Sequence, residues 1–523
     1  MKFLHSGVLV VAMLCSTATG YPQAIAPSSS AADQKEAQIE QRIETISAAL
    51  AATEQQIEQS QRQVRLLQQQ LLELRQQMAA PGSAAVPVPT APANSASAPS
   101  SSVIAASSES DEKIPIEERL QVLEAAVKLH DQTKVESGSK YPVRLTGLIL
   151  LNGFLNKGVA DNVDLPEFAL RSNTTSGNGD LAAGLRQTIL GVEGNGPRIA
   201  GARTSAQVSL DFFSSVSYTG YGTSAGVVRM RTASINFDWE TNSLQAGFVE
   251  PLISPRSPDS YATVAEPSLA GAGNLWTWAP QLSYTHRFDL GQRGRVQYQF
   301  GLWDSPAAGY NANQLFRTAS PGELSQQPAY ETRISYAAAG DRGLQLGVGG
   351  YYSRQAYPGY QGYPGTENLD SWAGTADWRV PLGHYFEITG EGYRGRSIGG
   401  LGGGVYKDII AGTSPATGAA VLRPLNAIGG WTQFKTRFSS TLEQNFSIGL
   451  DNGFAGDFHA VVQSPTAGAT QLRARNRMFV SNLIFRPKTY IILSPEYRRI
   501  WSWPITGLAS TLNVYTFSVG YQF

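Results

Sequence analysis

The last eleven residues of the chain show its most regular alternation of apolar and polar positions. Tyr515, Phe517, Val519, Tyr521 and Phe523 alternate with small, mostly polar residues. Successive side chains of a strand point to opposite faces, so the pattern predicts a strand with one aromatic, apolar face. A soluble sandwich can bury such a strand. An aromatic residue at the very end of the chain is more typical of an outer-membrane barrel, which is apolar outside and polar inside.

A period of two continues through most of the chain from Tyr141 onward. The predicted strands are roughly 143–155, 182–194, 202–217, 227–239, 244–252, 277–290, 293–303, 329–338, 343–354, 371–380, 384–396, 430–439, 443–451, 473–486, 489–500 and 511–523. This makes about sixteen strands, and bacterial single-chain barrels have an even number. Connections after even-numbered strands are short and those after odd-numbered strands are mostly long. A barrel with short periplasmic turns and long outer loops explains that alternation, and a sandwich does not. We therefore predict an all-β transmembrane barrel of antiparallel strands over residues 141–523.

The region before the barrel has a different period. Apolar residues between Ile39 and Met78 follow a heptad repeat without Gly or Pro, which predicts an N-terminal α-helical coiled-coil extension over residues 33–80. Ile at both core positions of the first heptads favours three helices over two. The alternative is a single amphipathic helix that packs on its own domain.

Two further segments join this helix to the barrel. Residues 81–112 are rich in Ala, Pro and Ser, a composition typical of linkers. Residues 113–138 predict a second short helix, with Pro115 in its first turn and Gly138 at its end.

The N-terminus and the composition indicate export. The chain has 523 residues and no apolar run of ~18 residues that would predict a membrane-spanning helix. The short apolar run Gly7–Cys15, followed by Ala24–Ala26, predicts a signal peptide over residues 1–26, with Ala18–Gly20 as the alternative cleavage site. Cys15 is the only cysteine, so the mature chain would have no thiol. We expect a protein of the outer membrane of a diderm bacterium, with its N-terminal helices in the periplasm.

Strand alternation assigns basic side chains to the inner face of the barrel. They are Arg293, Arg295, Arg333, Arg379, Lys435 and Arg437. From residue 141 onward Arg outnumbers Lys by 26 to 4. Arg binds carboxylates and phosphates through two parallel hydrogen bonds, and cationic rings in a pore favour anions. The alternative is that these arginines pair with Glu and Asp to stiffen the wall.

Two groups of arginines do not follow the alternation of their strands. Arg229 and Arg231 share parity with Ile235, which faces outward by its chemistry. Arg473, Arg475 and Arg477 share parity with the apolar Phe479. A bulge, a position in an outer loop or a subunit interface would each explain the conflict.

A channel through sixteen strands is wide enough to need a constriction. We expect the connection 253–276, which carries Arg256, Asp259 and Glu266, to fold inward and narrow the pore. The connections 304–328 and 397–429 are long enough to serve instead, and 253–276 could also be an ordinary surface loop.

The layout of the mature chain resembles the DcaP-type trimeric porins. The local likeness lies in Val228-Arg229-Met230-Arg231-Thr232-Ala233, then Leu244-Gln245-Ala246-Gly247-Phe248, and in the terminal Phe523. The resemblance implies a coiled-coil extension on a sixteen-stranded trimeric barrel, uptake of small anions such as dicarboxylates, and pore-facing Arg229 and Arg231. Phosphate-selective porins are similar in layout and are the alternative, although a denser ladder of Arg and Lys is expected in them.

Other function classes find little support. Histidines show no metal-ligand spacing, and there is no nucleophile motif or phosphate-binding loop, so we expect no enzyme, catalytic residue, metal or cofactor. The expected partners are outer-membrane lipid and lipopolysaccharide, further copies of the chain, small anionic solutes, and the barrel-assembly machinery through Phe523. Nucleic acid is not among them. The non-transport alternative is a structural barrel whose coiled coil acts as a periplasmic spacer or tether.

Overall fold

The computed structural model describes residues 142–172, 177–215, 226–307, 318–340, 343–359, 365–463, 468 and 472–523. The predicted signal peptide (1–26), coiled coil (33–80), linker (81–112) and second helix (113–138) lie outside these residues.

The described residues form one closed antiparallel barrel of sixteen strands, as the alternation predicts. The strands are β1 (Val143–Lys157), β2 (Gly179–Gly184 and Ile189–Asn195), β3 (Arg203–Asp211), β4 (Arg229–Asp238), β5 (Asn242–Val249), β6 (Ala279–Asp289), β7 (Arg295–Trp303), β8 (Ala329–Ala337), β9 (Gln345–Pro358), β10 (Thr366–Leu382), β11 (Phe386–Arg396), β12 (Asn426–Arg437), β13 (Leu442–Gly453), β14 (Arg473–Lys488), β15 (Ile491–Pro504) and β16 (Ser510–Gln522). Both segments of β2 pair with β1, so they count as one strand.

The barrel closes between its first and last strands. Ten consecutive residues pair across β1 and β16, from Leu148 with Gln522 to Lys157 with Asn513. The pairing extends to the C-terminus, because the Gly147 amide donates to the Phe523 carbonyl at 2.9 Å and the Phe523 amide donates back at 3.0 Å. The prediction for the terminal strand is confirmed, and the closed sheet has no free edge.

Few other regular elements are present in the described residues, and all are short. They are the strand pairs Val159–Ala160 with Ala169–Leu170 and Ile409–Thr413 with Ala420–Pro424, the helices α1 (Pro321–Leu324) and α2 (Ala455–His459), and the 3₁₀ turns Gly291–Arg293 and Gly399–Leu401. None of the helices in the described part of the chain is long and apolar enough to cross a bilayer.

The connections differ between the two ends of the barrel, as predicted. At one end, called here the short-turn end, no connection exceeds the seven residues of 196–202 and 338–344. The other end is called here the long-loop end. Its main connections are loop 1 (158–178), loop 5 (250–278), loop 7 (304–328) and loop 11 (397–425).

The outer surface of the wall is apolar. Leu145, Ile235, Ile334, Val348 and Phe517 are each at least half exposed. In hydrocarbon every backbone N–H and C=O must find a partner within the protein, and a closed barrel with an apolar exterior meets that requirement.

The hydrophobic core lies inside the barrel, where loops pack against the wall. Trp303, Tyr351 and Tyr393 of the wall form one buried cluster with Ile253 and Leu275 of loop 5. A second cluster joins loops 1 and 5 to inward side chains of β12 and β14–β16. The inner face of the wall is therefore not uniformly polar, because loops pack against the apolar side chains of part of it.

Loop 5 lies directly on the backbone of the wall. Gly273 has φ +99°, and a Cβ at this position would lie 2.3 Å from the Gly430 carbonyl oxygen and 2.4 Å from that of Leu450. A Cβ on Gly449 would lie 2.1 Å from the Ala272 carbonyl oxygen. Only glycine permits both this backbone conformation and this approach.

We expect Gly273→Ala to destabilise the barrel by about 1–3 kcal/mol, because the added methyl forces loop 5 off β12 and β13 and strains the backbone. The free energy of unfolding in detergent with guanidinium measures this. The matched control is Gly374→Ala on β10, where a Cβ meets no atom within 4 Å. Equal stabilities for the two variants would show that loop 5 does not depend on this contact.

Candidate pore site inside the barrel

Loop 5 is held inside the barrel by carboxylates of the wall. Glu331 on β8 accepts from the backbone amides of Leu252 and Ile253, at 2.9 and 3.4 Å. Glu391 on β11 accepts from the Ser254 hydroxyl at 2.5 Å. The start of the loop is thus bound to two separate strands of the wall.

The same loop reaches the opposite wall. The Asn482 side chain on β14 donates to the Asp259 carbonyl at 2.7 Å, and the Ser260 hydroxyl donates to Glu496 on β15 at 2.5 Å. Between Leu252 and Ser260 the backbone therefore passes from β8 to β15 across the lumen.

Arg256 belongs to a cluster of two guanidinium groups on one carboxylate. Its Nε donates to Asp377 Oδ1 at 2.9 Å, and Arg333 binds the same carboxylate through two 2.9 Å hydrogen bonds. Their side chains are 17%, 2% and 8% exposed for Arg256, Asp377 and Arg333. The cluster carries one net positive charge between the loop and the wall.

Asp259 pairs with the inner face of β12. Its carboxylate lies 2.8 Å from the Lys435 Nζ, and it accepts from the Gln433 amide at 2.6 Å. Burial opposes ionisation of Asp259, but Lys435 and Gln433 outweigh it and lower the pKa of this carboxyl below its usual value. Asp259 is therefore an anion that holds Lys435 in place.

Two further ion-pair groups line the wall towards the short-turn end. Glu387 on β11 accepts from Arg379 at 3.0 Å and from Arg437 at 3.1 Å, and these arginines are 23% and 27% exposed. Glu443 on β13 lies 3.8 Å from Arg486 on β14, which is 33% exposed and also donates to the hydroxyl of Tyr261 in loop 5. Arg379, Lys435, Arg437 and Arg486 thus form a continuous basic arc on β10, β12 and β14.

The sequence pattern did not identify Arg486. The even-numbered side chains Asn482 and Ile484 of β14 are buried inside the barrel, and Arg486 follows the same alternation. The sequence pattern did not assign the inner face of β14, because the arginines near the start of the strand break its alternation. The apolar outward Phe485 and Leu483 were the signal that could have found it.

Two predicted pore residues have less defined positions. Arg295 has inward parity on β7 and is exposed at the short-turn end. Arg293 lies in the 3₁₀ turn Gly291–Arg293 instead of on a strand, so strand alternation does not assign its side chain to the lumen. The prediction that Arg293 extends the inner face of β7 was wrong on this point.

Arg229 and Arg231 face inward, and a bulge explains their parity. The register of β3 and β4 shifts between Ser209 and Leu210, so that the pairing skips Arg231. On one side of the bulge the outward residues of β4 are odd-numbered, such as Ile235, and on the other side they are even-numbered, such as Met230. Of the three explanations for the conflict in parity, the bulge is the one observed, and both side chains face inward, as the family resemblance implies.

Both arginines hold loop 5 at its far end. They share the fully buried Asp211, at 2.8 Å for Arg229 and 3.2 Å for Arg231. Arg229 also donates to the Ala265 carbonyl at 2.8 Å, and Arg231 to the Val264 carbonyl at 2.7 Å. The guanidinium groups of Arg229 and Arg231 thus bind Asp211 and the backbone of loop 5.

Arg473, Arg475 and Arg477 divide between the two faces. A register shift separates Arg473 from Arg475. Arg473 is buried with its guanidinium 3.2 Å from the centroid of the Phe168 ring in loop 1. Arg475 and Arg477 point outward over Trp503, at 4.3 and 5.8 Å from its ring centroid.

Loops 1, 5 and 11 meet at a pair of carboxyl groups. Tyr406 of loop 11 donates to Glu167 of loop 1 at 3.0 Å, and Glu167 lies beside Glu266 of loop 5. Burial raises the pKa of Glu167 well above its usual value, and the charge of Glu266 raises it further. Burial also raises the pKa of Glu266, although Arg229, 4.0 Å away, opposes this. Both carboxyl groups at the junction of the three loops therefore favour the protonated form more than a free glutamate does.

No group of three or more His, Cys, Asp or Glu side chains suited to a metal ion occurs in the described residues.

The fold is similar to that of outer-membrane channels. The outer membrane channel DcaP of Acinetobacter baumannii matches with a TM-score of 0.55 and 14% identity, over 74% of this chain and 99% of that chain. The anion-selective porin from Comamonas acidovorans matches with a TM-score of 0.46 and 11% identity, over 73% of this chain and 100% of that chain. OprB of Pseudomonas putida matches with a TM-score of 0.43 and 11% identity, over 76% of this chain and 96% of that chain. No family model matches the sequence, and no curated protein matches it. The likeness to DcaP supports a porin barrel fold.

The raised pKa values of Glu167 and Glu266 predict a pH dependence of stability. The folded chain keeps a proton that the unfolded chain releases near the usual value of 4.5, so stability falls as pH rises from there through the raised pKa. Glu266→Gln keeps a hydrogen-bonding group without the charge. We expect its melting temperature to exceed that of the wild type by about 2–4 °C at pH 8 and to equal it at pH 4. The exposed Glu240→Gln, in a turn at the short-turn end, is the control and should change neither. A gain of the same size at both pH values would contradict the raised pKa values of this pair.

Proposed function

We propose that the protein is an outer-membrane porin, a passive diffusion channel for small hydrophilic solutes with a preference for anions such as dicarboxylates. The apolar exterior and closed strand ladder support placement in a membrane. The likeness to DcaP supports the porin fold. The short turns then lie in the periplasm and the long loops outside the cell.

Loop 5 is the proposed constriction. It crosses the lumen from β8 to β15 and is bound on both sides by wall carboxylates. Solutes would pass between this loop and the basic arc. Arg256 and Asp259 take part in the narrowing through their wall partners, and Glu266 anchors the far end.

The basic arc carries the proposed selectivity. Arg379, Lys435, Arg437 and Arg486 face Glu387, Glu443 and Asp259, which leaves one net positive charge on the arc. Arg379 and Arg437 share a single carboxylate, so each keeps donors for another anion. Two adjacent guanidinium groups suit a solute with carboxylate oxygens, which Arg binds through paired hydrogen bonds.

A homotrimer is part of the proposal. The outward side chains of β1–β5 include no Tyr or Trp between the ends of these described strands, whereas β6–β10 carry Tyr284, Tyr298, Tyr330, Tyr352 and Trp372. Tyr and Trp mark the surface that meets the lipid headgroups. The aliphatic outer surface of β1–β5 is therefore the proposed subunit contact, which does not include the charged Lys157 at the long-loop end of β1.

Arg379→Gln combined with Arg437→Gln is expected to lower the chloride-to-potassium permeability ratio by at least about twofold, because the arc changes from one net positive charge to one net negative charge. Reversal potentials of the reconstituted protein in a potassium chloride gradient measure this. Glu387→Gln should shift the ratio in the opposite direction, and the exposed turn variant Arg198→Gln should leave it unchanged. Cation preference in the wild type would refute the anion proposal. Block of single-channel current by succinate, phosphate and a neutral sugar then separates dicarboxylate from phosphate preference.

Val192→Arg is expected to dissociate the trimers, because it places a charge in the proposed contact on β2. Val348→Arg on β9 is the matched control, since both valines face outward and are 45% and 60% exposed. Each arginine also costs up to about 2–4 kcal/mol of barrel stability, so the comparison isolates the subunit contact. Native gels measure the oligomer. Monomeric wild type, or trimers that survive Val192→Arg and not Val348→Arg, would contradict the assignment.

A further inference from the structure

Four cations lie together on the outer wall near the long-loop end. They belong to three strands that surround the closure of the barrel: Arg475 and Arg477 on β14, Arg499 on β15 and Lys157 on β1. Arg499 and Lys157 both pair with Asn513 of β16, so they flank it at one height. Arg477 pairs with Trp501 and Arg475 with Trp503, in the next two outward rows towards the loops. We call these four residues the outer basic patch.

Each cation of the patch rests on an aromatic ring. The guanidinium carbon of Arg475 lies 4.3 Å from the ring centroid of Trp503, and that of Arg499 lies 5.1 Å from Trp501. The Lys157 Nζ lies 5.5 Å from the ring centroid of Tyr515. Stacking leaves the N–H donors at the edge of each guanidinium free to bind another group.

The patch lacks anionic partners. No acidic side chain in the described part of the chain forms an ion pair with any of its four members, and Lys157, Arg477 and Arg499 are exposed. The lumen differs, since Arg256, Arg333 and Arg379 each bind a carboxylate. Arg394, another outward arginine near the long-loop end, donates to the Ala427 carbonyl at 3.1 Å and to Asn426 at 3.2 Å. The four cations of the patch thus differ from Arg394, whose guanidinium is bound by acceptors of the protein.

A groove begins directly below the patch, on the side of the short turns. It has a volume of about 340 Å³, and its lining includes the outward side chains of Ser481, Leu483, Pro495, Tyr497 and Tyr515. Pro495 has no amide hydrogen, and the paired residues of β14 and β15 skip from Asn482–Glu496 to Phe485–Leu493. The groove lies at this gap in the ladder. Pro495 is four residues from Arg499, roughly 13 Å along the strand.

We propose that the outer basic patch and this groove form one binding site for a phosphorylated lipid of the outer leaflet. The guanidinium groups and Lys157 bind the headgroup phosphate, and an acyl chain lies in the groove. Trp501 and Trp503 place the cations at the depth of the headgroups, where Trp is enriched. Basic clusters at that depth bind anionic headgroups, and Arg binds phosphate through two donors at once. The proposal rests on placement in an outer membrane and not on channel activity.

The test uses the full-length protein in nanodiscs of phosphatidylcholine with added lipid A as the probe. Native mass spectrometry counts the lipid A molecules retained on each barrel. Lipid A with both phosphates should bind, and the same lipid with its phosphates removed should bind at least about tenfold more weakly. The variant Arg475→Gln/Arg477→Gln/Arg499→Gln should lose binding by a similar factor. Arg394→Gln is the matched outward control and should stay within about twofold of the wild type.

A second variant tests the groove with the charges intact. Ser481→Phe fills the groove, and it should weaken binding of lipid A several-fold without changing single-channel conductance, which reports that the barrel is folded. Inorganic phosphate at millimolar concentration should not displace the lipid, because it lacks the acyl chain. Equal retention by the triple variant and the wild type would overturn the proposal. So would displacement by inorganic phosphate, or dissociation of the oligomer by the triple variant, which would assign the patch to a subunit contact.

Discussion

Every other feature of the barrel depends on the pairing of β16 with β1. A sheet in hydrocarbon cannot leave an edge of unpaired amides and carbonyls, so the sixteen strands must end where they begin. The C-terminal residue takes part in this, since Phe523 exchanges two backbone hydrogen bonds with Gly147. Closure on sixteen strands also creates an interior too wide for wall side chains alone to fill. The loops that enter the barrel are the consequence.

Charged residues on the inner face of the wall form hydrogen bonds with the backbone of loop 5 and pair with one another. A loop inside a barrel brings backbone amides that need acceptors, and the wall supplies them as the carboxylates Glu331 and Glu391. Burying these charges is costly unless each is fully hydrogen-bonded. Arginines contribute in the opposite sense, since Arg229 and Arg231 donate to loop carbonyls while sharing Asp211. Many charged residues of the wall are thus structural, and we propose that charge remains for a solute in the basic arc near the short-turn end.

Much of the barrel could be predicted from the sequence because its whole outer face contacts lipid, which imposes one pattern of side chains. Lipid requires apolar side chains at every second position, and β16, β8 and β10 follow this closely. The inner face has no single solvent, and there the prediction was incomplete. The inward orientation of Arg229 and Arg231 can be predicted only if the bulge in β4 is known. A bulge is visible in a sequence only as a change in which alternate positions are apolar. Arg486 was hidden by the irregular start of its strand. The junction of Glu167, Glu266 and Tyr406 could not be found, because it joins three loops that are far apart in the chain.

The wall anchors of loop 5 have a consequence for the order of assembly. Every wall carboxylate that binds the start of the loop is supplied by a strand later in the chain, and the separation grows from 79 residues for Leu252–Glu331 to 236 for Ser260–Glu496. Contacts this distant form late, because a long segment must be ordered before they can be made. Loop 5 is therefore held on both sides only after β8, β11 and β15 have joined the sheet, so the lumen narrows late in assembly.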